Sequence, residues 1–328
     1  MMSGLVAVTG ASGFVGRAVV RRLDAAGWRV RALARPASVA RLAGLPVEIV
    51  PGGLEDPAAL GRLVAGAMAV VHCAGVTRGL TGADFHRVNV DGLERLVDAV
   101  RSDGARCRLV AVSSLAAREP HLSPYAASKR AGEIMLATVA DVAWTIVRPP
   151  AVYGPGDQAL RPVWRAIRLG ILPVLGSPQA RFSLVYVDDL AEAVARLVSV
   201  GDHAGRIFEL HDGRVGGYAW SDVLEAARRW RGRGVRPVRV PRAALVALAF
   251  VEVAVHRARR RQPLLTPGKV RELLHRHWVC DNAGLSGATG WTPRIGLDEG
   301  LRRTLSATDR RPVHGTGEEG HAYHVELR

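Results

Sequence analysis

Tyr125 and Lys129 stand four residues apart in the run Tyr125-Ala126-Ala127-Ser128-Lys129, and two serines, Ser113 and Ser114, precede them. On a helix that spacing sets the phenol and the ammonium one above the other on a single face. A tyrosine hydroxyl, with an ordinary pKa near ~10, is a poor base at neutral pH. A neighbouring ammonium favours the phenolate and lowers that value. A serine hydroxyl just ahead of the helix can hydrogen-bond the same substrate oxygen. Together the three groups suit moving a proton on or off a secondary alcohol while a hydride leaves the carbon beneath it. Alone, a Tyr-x-x-x-Lys match arises often by chance on ordinary helix surfaces, so its meaning rests on the elements around it.

Those elements begin with an apolar strand over 5–8, followed by Thr9-Gly10-Ala11-Ser12-Gly13-Phe14-Val15-Gly16. The next helix carries Val15, Val19, Val20 and Leu23 at helical spacing and stops at Gly27. Three glycines between a strand and a helix permit a tight turn, a pyrophosphate at the helix N-terminus and close helix–strand packing. Their spacing, G-x-x-G-x-x-G, is a variant of the usual dinucleotide fingerprint. The alternation continues with strands expected over 30–34, 47–50, 69–72, 109–112 and 144–147. Helices are expected over 57–65, 84–102 and 123–140. Such alternation implies an α/β fold, a Rossmann-type doubly wound parallel sheet, with ligands beyond the carboxyl ends of its strands. Gly10 to Gly16, Ala74-Gly75, Ser113-Ser114 and Pro149-Pro150 all fall at such ends.

After residue 150 the pattern loosens. The expected division is a nucleotide-binding domain over 1–150, a smaller C-terminal substrate lobe over 151–305 and a mobile tail over 306–328. The segment 181–200 is expected to return to the first domain. Asp188-Asp189 reads as a helix N-cap. His275, His277 and Cys280 lack the spacing of a metal site, so no metal is expected.

Three cysteines at wide spacings give no disulfide framework, and the chain starts straight into a strand, without the pattern of a signal peptide. A soluble, cytoplasmic protein is expected. The longest apolar run, 243–255, contains Glu252 and falls short of the ~20 residues of a membrane span. The formal charge of +15 is dominated by arginine, and composition is the preferred reason for it; no nucleic-acid module accompanies it. The segment 243–261 joins an apolar helix to an arginine cluster. A helix lining the pocket or a subunit contact is the preferred reading, and weak contact with an anionic membrane surface is the alternative.

The chain over 4–305 resembles the extended short-chain dehydrogenase/reductase family, which includes NAD-dependent sugar epimerases and dehydratases. The resemblance rests on the glycine loop, His72-Cys73-Ala74-Gly75, Asn89-Val90-Asp91-Gly92, Val112-Ser113-Ser114 and Tyr125-x-x-x-Lys129. Arg148-Pro149-Pro150-x-Val152-Tyr153-Gly154 and Val187-Asp188-Asp189-Leu190 complete it. It implies an NAD(P)-dependent oxidoreductase interconverting a secondary alcohol and a ketone. Tyr125 would be the acid/base, Lys129 would hold the nicotinamide ribose and depress the Tyr125 pKa, and Ser114 would orient the substrate oxygen, with Ser113 as the fallback. Gly10, Gly13, Phe14, Val15 and Gly16 would carry the pyrophosphate. Ala74, Gly75, Pro149 and Val152 would lie along the cofactor. Ala34 stands where an acidic residue normally ends the second strand, and Arg35 follows, which suits a 2'-phosphate and favours NADP over NAD. Gly52-Gly53-Leu54 likewise departs from the usual Gly-Asp-Leu on the adenine side.

The short segment Leu115 to Pro120 lacks the tyrosine of typical sugar epimerases. It looks closer to the branch of 3-beta-hydroxysteroid dehydrogenases and dihydroflavonol-reductase-like enzymes. That weakens, without excluding, a nucleotide-sugar substrate, so the expected small-molecule substrate is a lipophilic alcohol or ketone or a nucleotide sugar. The alternatives are a nucleotide-sugar epimerase or dehydratase with tightly bound NAD, and a catalytically idle nucleotide-binding scaffold. A homodimer is implied by resemblance alone.

Overall fold

The computed structural model describes residues 4–104, 107–200, 203–259 and 262–307. The tail expected from 306 overlaps the last helix by two residues, and the remainder of it lies outside the described residues. The first half alternates as β1 (Leu5–Thr9), α1 (Phe14–Ala25), β2 (Arg29–Ala34), β3 (Glu48–Pro51), α2 (Pro57–Val64) and β4 (Ala69–His72). It continues with α3 (Gly82–Asn89), α4 (Asp91–Ser102), β5 (Arg108–Val112), α5 (Pro124–Ala137) and β6 (Trp144–Arg148). Then come β7 (Ala151–Tyr153), α6 (Arg161–Arg168), β8 (Ile171–Leu175), β9 (Arg181–Phe182), β10 (Leu184–Tyr186), α7 (Val187–Ser199) and β11 (Arg206–Glu209). The last stretch holds α8 (Trp220–Arg231), β12 (Arg236–Val240), α9 (Arg242–Ala258), α10 (Pro267–Leu274), β13 (His277–Trp278), α11 (Ala283–Thr289) and α12 (Leu297–Ala307).

Seven strands form one parallel sheet in the order β11-β6-β5-β4-β1-β2-β3. The order reverses between β4 and β1, which opens a crevice at their carboxyl ends. Both faces are covered, so the strands are apolar on both sides. Val6 and Val8 point into the core shared with α1 and α7, whereas Ala7, Leu109 and Ile146 point into the core under α2, α4 and α5. Smaller parallel pairs, β10 with β7, β12 with β8 and β13 with β9, build the rest of the molecule around this sheet.

Two local expectations are corrected. The single helix expected over 84–102 is two helices, interrupted at Val90 with ψ −68° and φ −114°. The interruption lets the Asn89 carbonyl lie against α5 so closely that a Cβ on Gly132 would come within 2.7 Å of it. Asp188 and Asp189 do not cap α7; Tyr186 occupies the cap position and both carboxylates lie in the first turn. Asp189 is buried and accepts from Arg294 N at 3.1 Å and Ile295 N at 2.8 Å. Its work is to tie the chain before α12 to the start of α7.

Candidate active site

The glycine loop leaves backbone bare where the sheet order reverses. Gly10 has φ +70°, and a Cβ there would lie 2.5 Å from Ala74 N at the end of β4. A Cβ on Gly16 would fall 2.1 Å from Gly10 O. Gly13 caps α1 without a side-chain hydrogen bond, and the first turn holds no acidic residue. The N–H groups of that turn therefore face the crevice free of side-chain competition, as a pyrophosphate requires. Phe14 and Val15 are half-buried and pack against the core, so their contribution to such a site is through backbone.

The end of β4 is held by buried polar contacts. Thr9 Oγ1 and His72 Nδ1 lie 2.8 Å apart, and Ala74 N donates to Thr9 Oγ1 at 3.3 Å. Burial, with Lys129 adding to it, drives the His72 pKa down to about 3, so the imidazole is neutral. Asn89 accepts from Val76 N at 2.9 Å, donates to Val76 O at 3.1 Å and donates to Ser128 Oγ at 2.9 Å. It thereby locks the loop after Gly75 to the helix bearing Tyr125 and Lys129. A Cβ on Gly75 would be 3.1 Å from Asn89 Oδ1 and 3.5 Å from Lys129 Nζ. The lysine head thus reaches the same crevice as the glycine loop.

Beyond β5 the two serines diverge. Ser113 Oγ donates to Glu133 Oε1 at 2.5 Å, and Arg148 binds both Glu133 oxygens, at 2.9 and 2.6 Å. Ser114 caps the 3-10 turn Leu115–Arg118 and hydrogen-bonds the Tyr125 phenol. Tyr125 lies in the first turn of α5, which Ser123 caps by accepting from Ala126 N at 3.0 Å. Lys129 Nζ donates to Val112 O at 2.9 Å, fixing the ammonium at the end of β5. Ser114, Tyr125 and Lys129 therefore meet at one strand end. Arg35 is exposed at the end of β2, three strand spacings away, about 14 Å. Pro149 is buried with its carbonyl accepting from Leu115 N at 2.8 Å, and Val152 is half-buried in β7.

The electrostatics differ from the expectation at one point. Burial pushes the Tyr125 phenol up to about 12; the Ser114 hydrogen bond works against that rise and Glu272 adds to it. No pull from Lys129, whose ammonium donates to the Val112 carbonyl, offsets that rise. Burial lowers the Lys129 pKa to about 8, against the pull of Glu133 and Cys73. The Cys73 thiol is pushed up to about 12 by burial and stays protonated. At neutral pH the site holds a protonated Tyr125 phenol and the Lys129 ammonium.

Sequence reasoning missed the roof of this site. From α10, Lys269 Nζ stands 5.9 Å from the Tyr125 ring centroid, while Phe85 from α3 meets the ring edge-on at 6.2 Å. Glu272 accepts from Ser123 Oγ and pairs with Lys269 at 2.7 Å, docking α10 onto the cap of α5. Nothing in the local pattern around 266–274 signals this, since the partners are 149 positions apart. His275 packs on Trp278 at 4.6 Å, and buried Cys280 bonds Leu210 O, so these residues serve the packing of the lobe.

The family model of the NAD dependent epimerase/dehydratase family matches residues 6–210. A ceramide reductase of Caulobacter vibrioides (strain NA1000 / CB15N) is 40% identical over 307 residues, covering 92% of this chain and 93% of its own. A 2-alkyl-3-oxoalkanoate reductase of Stenotrophomonas maltophilia is 28% identical, over 92% of this chain and 99% of its own. Among solved structures, MoeE5 in complex with UDP-glucuronic acid and NAD superimposes with a TM-score of 0.70 at 22% identity, covering 94% of this chain and 99% of its own. That last likeness is one of fold.

Proposed function

Because the chain belongs to the NAD dependent epimerase/dehydratase family and is an NAD(P)-dependent oxidoreductase, we propose that it reduces a ketone on a long-chain lipid of the ceramide class. The observation that carries this reading is the meeting of Ser114, the Tyr125 phenol and Lys129 at the end of β5, with Lys129 Nζ on Val112 O at 2.9 Å. Reduction of a ketone needs a proton donor at the oxygen, and a phenol held up to about 12 enters the reaction as an acid. The 40% identity to a ceramide reductase along nearly the whole of both chains supports the lipid class.

In this reading the bare glycine backbone and the N-terminus of α1 bind the pyrophosphate, and Lys129 holds the ribose next to Gly75. The nicotinamide, when bound, supplies the hydride. Ser114 donates to the carbonyl oxygen and orients it, and Tyr125 delivers its proton to that oxygen as the alcohol forms. The buried Asn89 and Glu133 contacts hold these groups in place and exclude water. Arg35, with no carboxylate at Ala34, favours a 2'-phosphate, so NADPH is the preferred form.

The decisive experiment identifies any nucleotide retained by the purified protein by mass spectrometry. It then follows NADPH consumption with a 3-oxo long-chain amide and, separately, conversion of UDP-glucose. Turnover of the lipid ketone with exchangeable NADPH is the expected result. Stoichiometric, retained NAD with conversion of the nucleotide sugar would overturn it.

A further inference from the structure

We infer that the outer face of α9 rests on the surface of an anionic lipid bilayer. From Ala243 to Val251 the helix is apolar on every side, yet only one side of it is covered. Leu245 and Ala249 pack inward against Val270 of α10. The opposite side presents Leu248, Phe250, Val251 and Val255, exposed by 56%, 60%, 59% and 39%, with alanines between them. A helix apolar on every side belongs in a core or a lipid phase. No described helix is long and apolar enough to cross a membrane, which leaves a helix lying along its surface.

Charge selects the occupant. Residues 231–276 contain twelve of the 45 Lys and Arg residues and two of the 30 acidic ones. Both acidic groups are turned inward: Glu252 accepts from Leu264 N and Leu265 N, and Glu272 is buried against Ser123. Arg239, Arg242, Arg257 and Arg259 flank the apolar face, are exposed, and pair with no carboxylate among the described residues. A second copy of the chain would bring the same arginines face to face across a twofold axis, at a cost in repulsion. Anionic headgroups around an apolar interior match both the rim and the centre of this face.

The position of α9 gives the contact a use. Its inner face packs on α10, and α10 carries Lys269 to within 5.9 Å of the Tyr125 ring centroid. A bilayer under α9 therefore lies one helix away from the proton donor.

The test is flotation of the full chain with vesicles of phosphatidylcholine alone and of equimolar phosphatidylcholine and phosphatidylglycerol. Flotation with the anionic vesicles only, reversed by salt, is expected. The double variant Leu248→Glu/Val251→Glu should lose it with an unchanged melting temperature. Arg257→Gln/Arg259→Gln, which leaves the apolar face intact, should weaken partitioning roughly thirty-fold. Absence of flotation, equal flotation of the wild type and the glutamate variant, or a wild-type dimer that the glutamate variant splits would each overturn the inference. Vesicle binding is read without turnover, so the result is independent of the substrate assignment.

Discussion

Ser113 points its hydroxyl at the buried Glu133 carboxylate, 2.5 Å away, and so leaves the reacting face to its neighbour. Adjacent residues leaving a strand diverge to opposite sides, and the Glu133–Arg148 pair takes one of them. Ser114 is left to meet Tyr125. Substituting Ser114→Ala is expected to lower kcat by roughly 10²–10³-fold, the usual loss for one donor to a developing oxyanion. Ser113→Ala should leave kcat within a few fold and cost ~1 kcal/mol of stability. Steady-state kinetics and urea unfolding of the two variants separate the roles; equal kinetic losses would show that the serines are not divided this way.

Tyr125→Phe is expected to lower turnover by roughly 10²–10⁴-fold while NADPH binding persists, since in the proposed reaction the phenol moves the proton and the variant keeps the ring that meets Phe85 and Lys269. Fluorescence titration with NADPH beside a turnover assay checks both halves. Full turnover in the variant would remove Tyr125 from the chemistry.

The Lys129 ammonium sets an alkaline limit. Its pKa of about 8 places a falling limb in kcat/KM near pH 8, because that profile reports the free protein's groups. Lys129→Met should abolish the limb together with most of the activity. The effect on stability has the opposite sense. Unfolded, the lysine keeps its proton to its ordinary 10.5, so between about 8 and 10.5 the unfolded chain binds more protons and this residue's contribution rises with pH. His72, held near 3, should add no limb in the neutral range.

Gly16→Ala tests the cradle. Its Cβ would sit 2.1 Å from Gly10 O, in a loop already committed to φ +70° at Gly10. Relieving that overlap moves the backbone groups meant for the pyrophosphate. Nucleotide affinity, measured by calorimetry, should fall by roughly a hundredfold, the ~3 kcal/mol typical of such backbone strain. Unchanged affinity would place the nucleotide elsewhere.

Arg35→Glu tests the cofactor preference. A charge-assisted hydrogen bond to a 2'-phosphate contributes ~1.5–3 kcal/mol, so NADPH affinity should fall about ten- to a hundredfold. NADH affinity should hold or improve, as the new carboxylate can bond the 2'-hydroxyl. Equal effects on both nucleotides would mean that Arg35 does not read the phosphate.

The alternation of strands and helices, the bare turn after β1 and the placement of Tyr125 and Lys129 on one helix were legible in the chain itself. Each depends on neighbours within a few residues: alternating apolar strands, glycines where a Cβ has no room, and a spacing of four on a helix. The resemblance put Ser114 ahead of Ser113, but only the tertiary structure supplied the reason, Glu133 taking the Ser113 hydroxyl from twenty positions later. Tertiary structure also decided that Asp189 anchors Ile295 rather than capping α7, and that burial raises the Tyr125 pKa. The roof was the least legible part. Lys269 and Glu272 reach Tyr125 and Ser123 only after some 140 intervening residues have folded around the sheet, and a contact over that separation leaves no local periodicity to read. Short-range geometry is written by spacing, whereas desolvation and long-range pairing exist only once the chain has closed on itself.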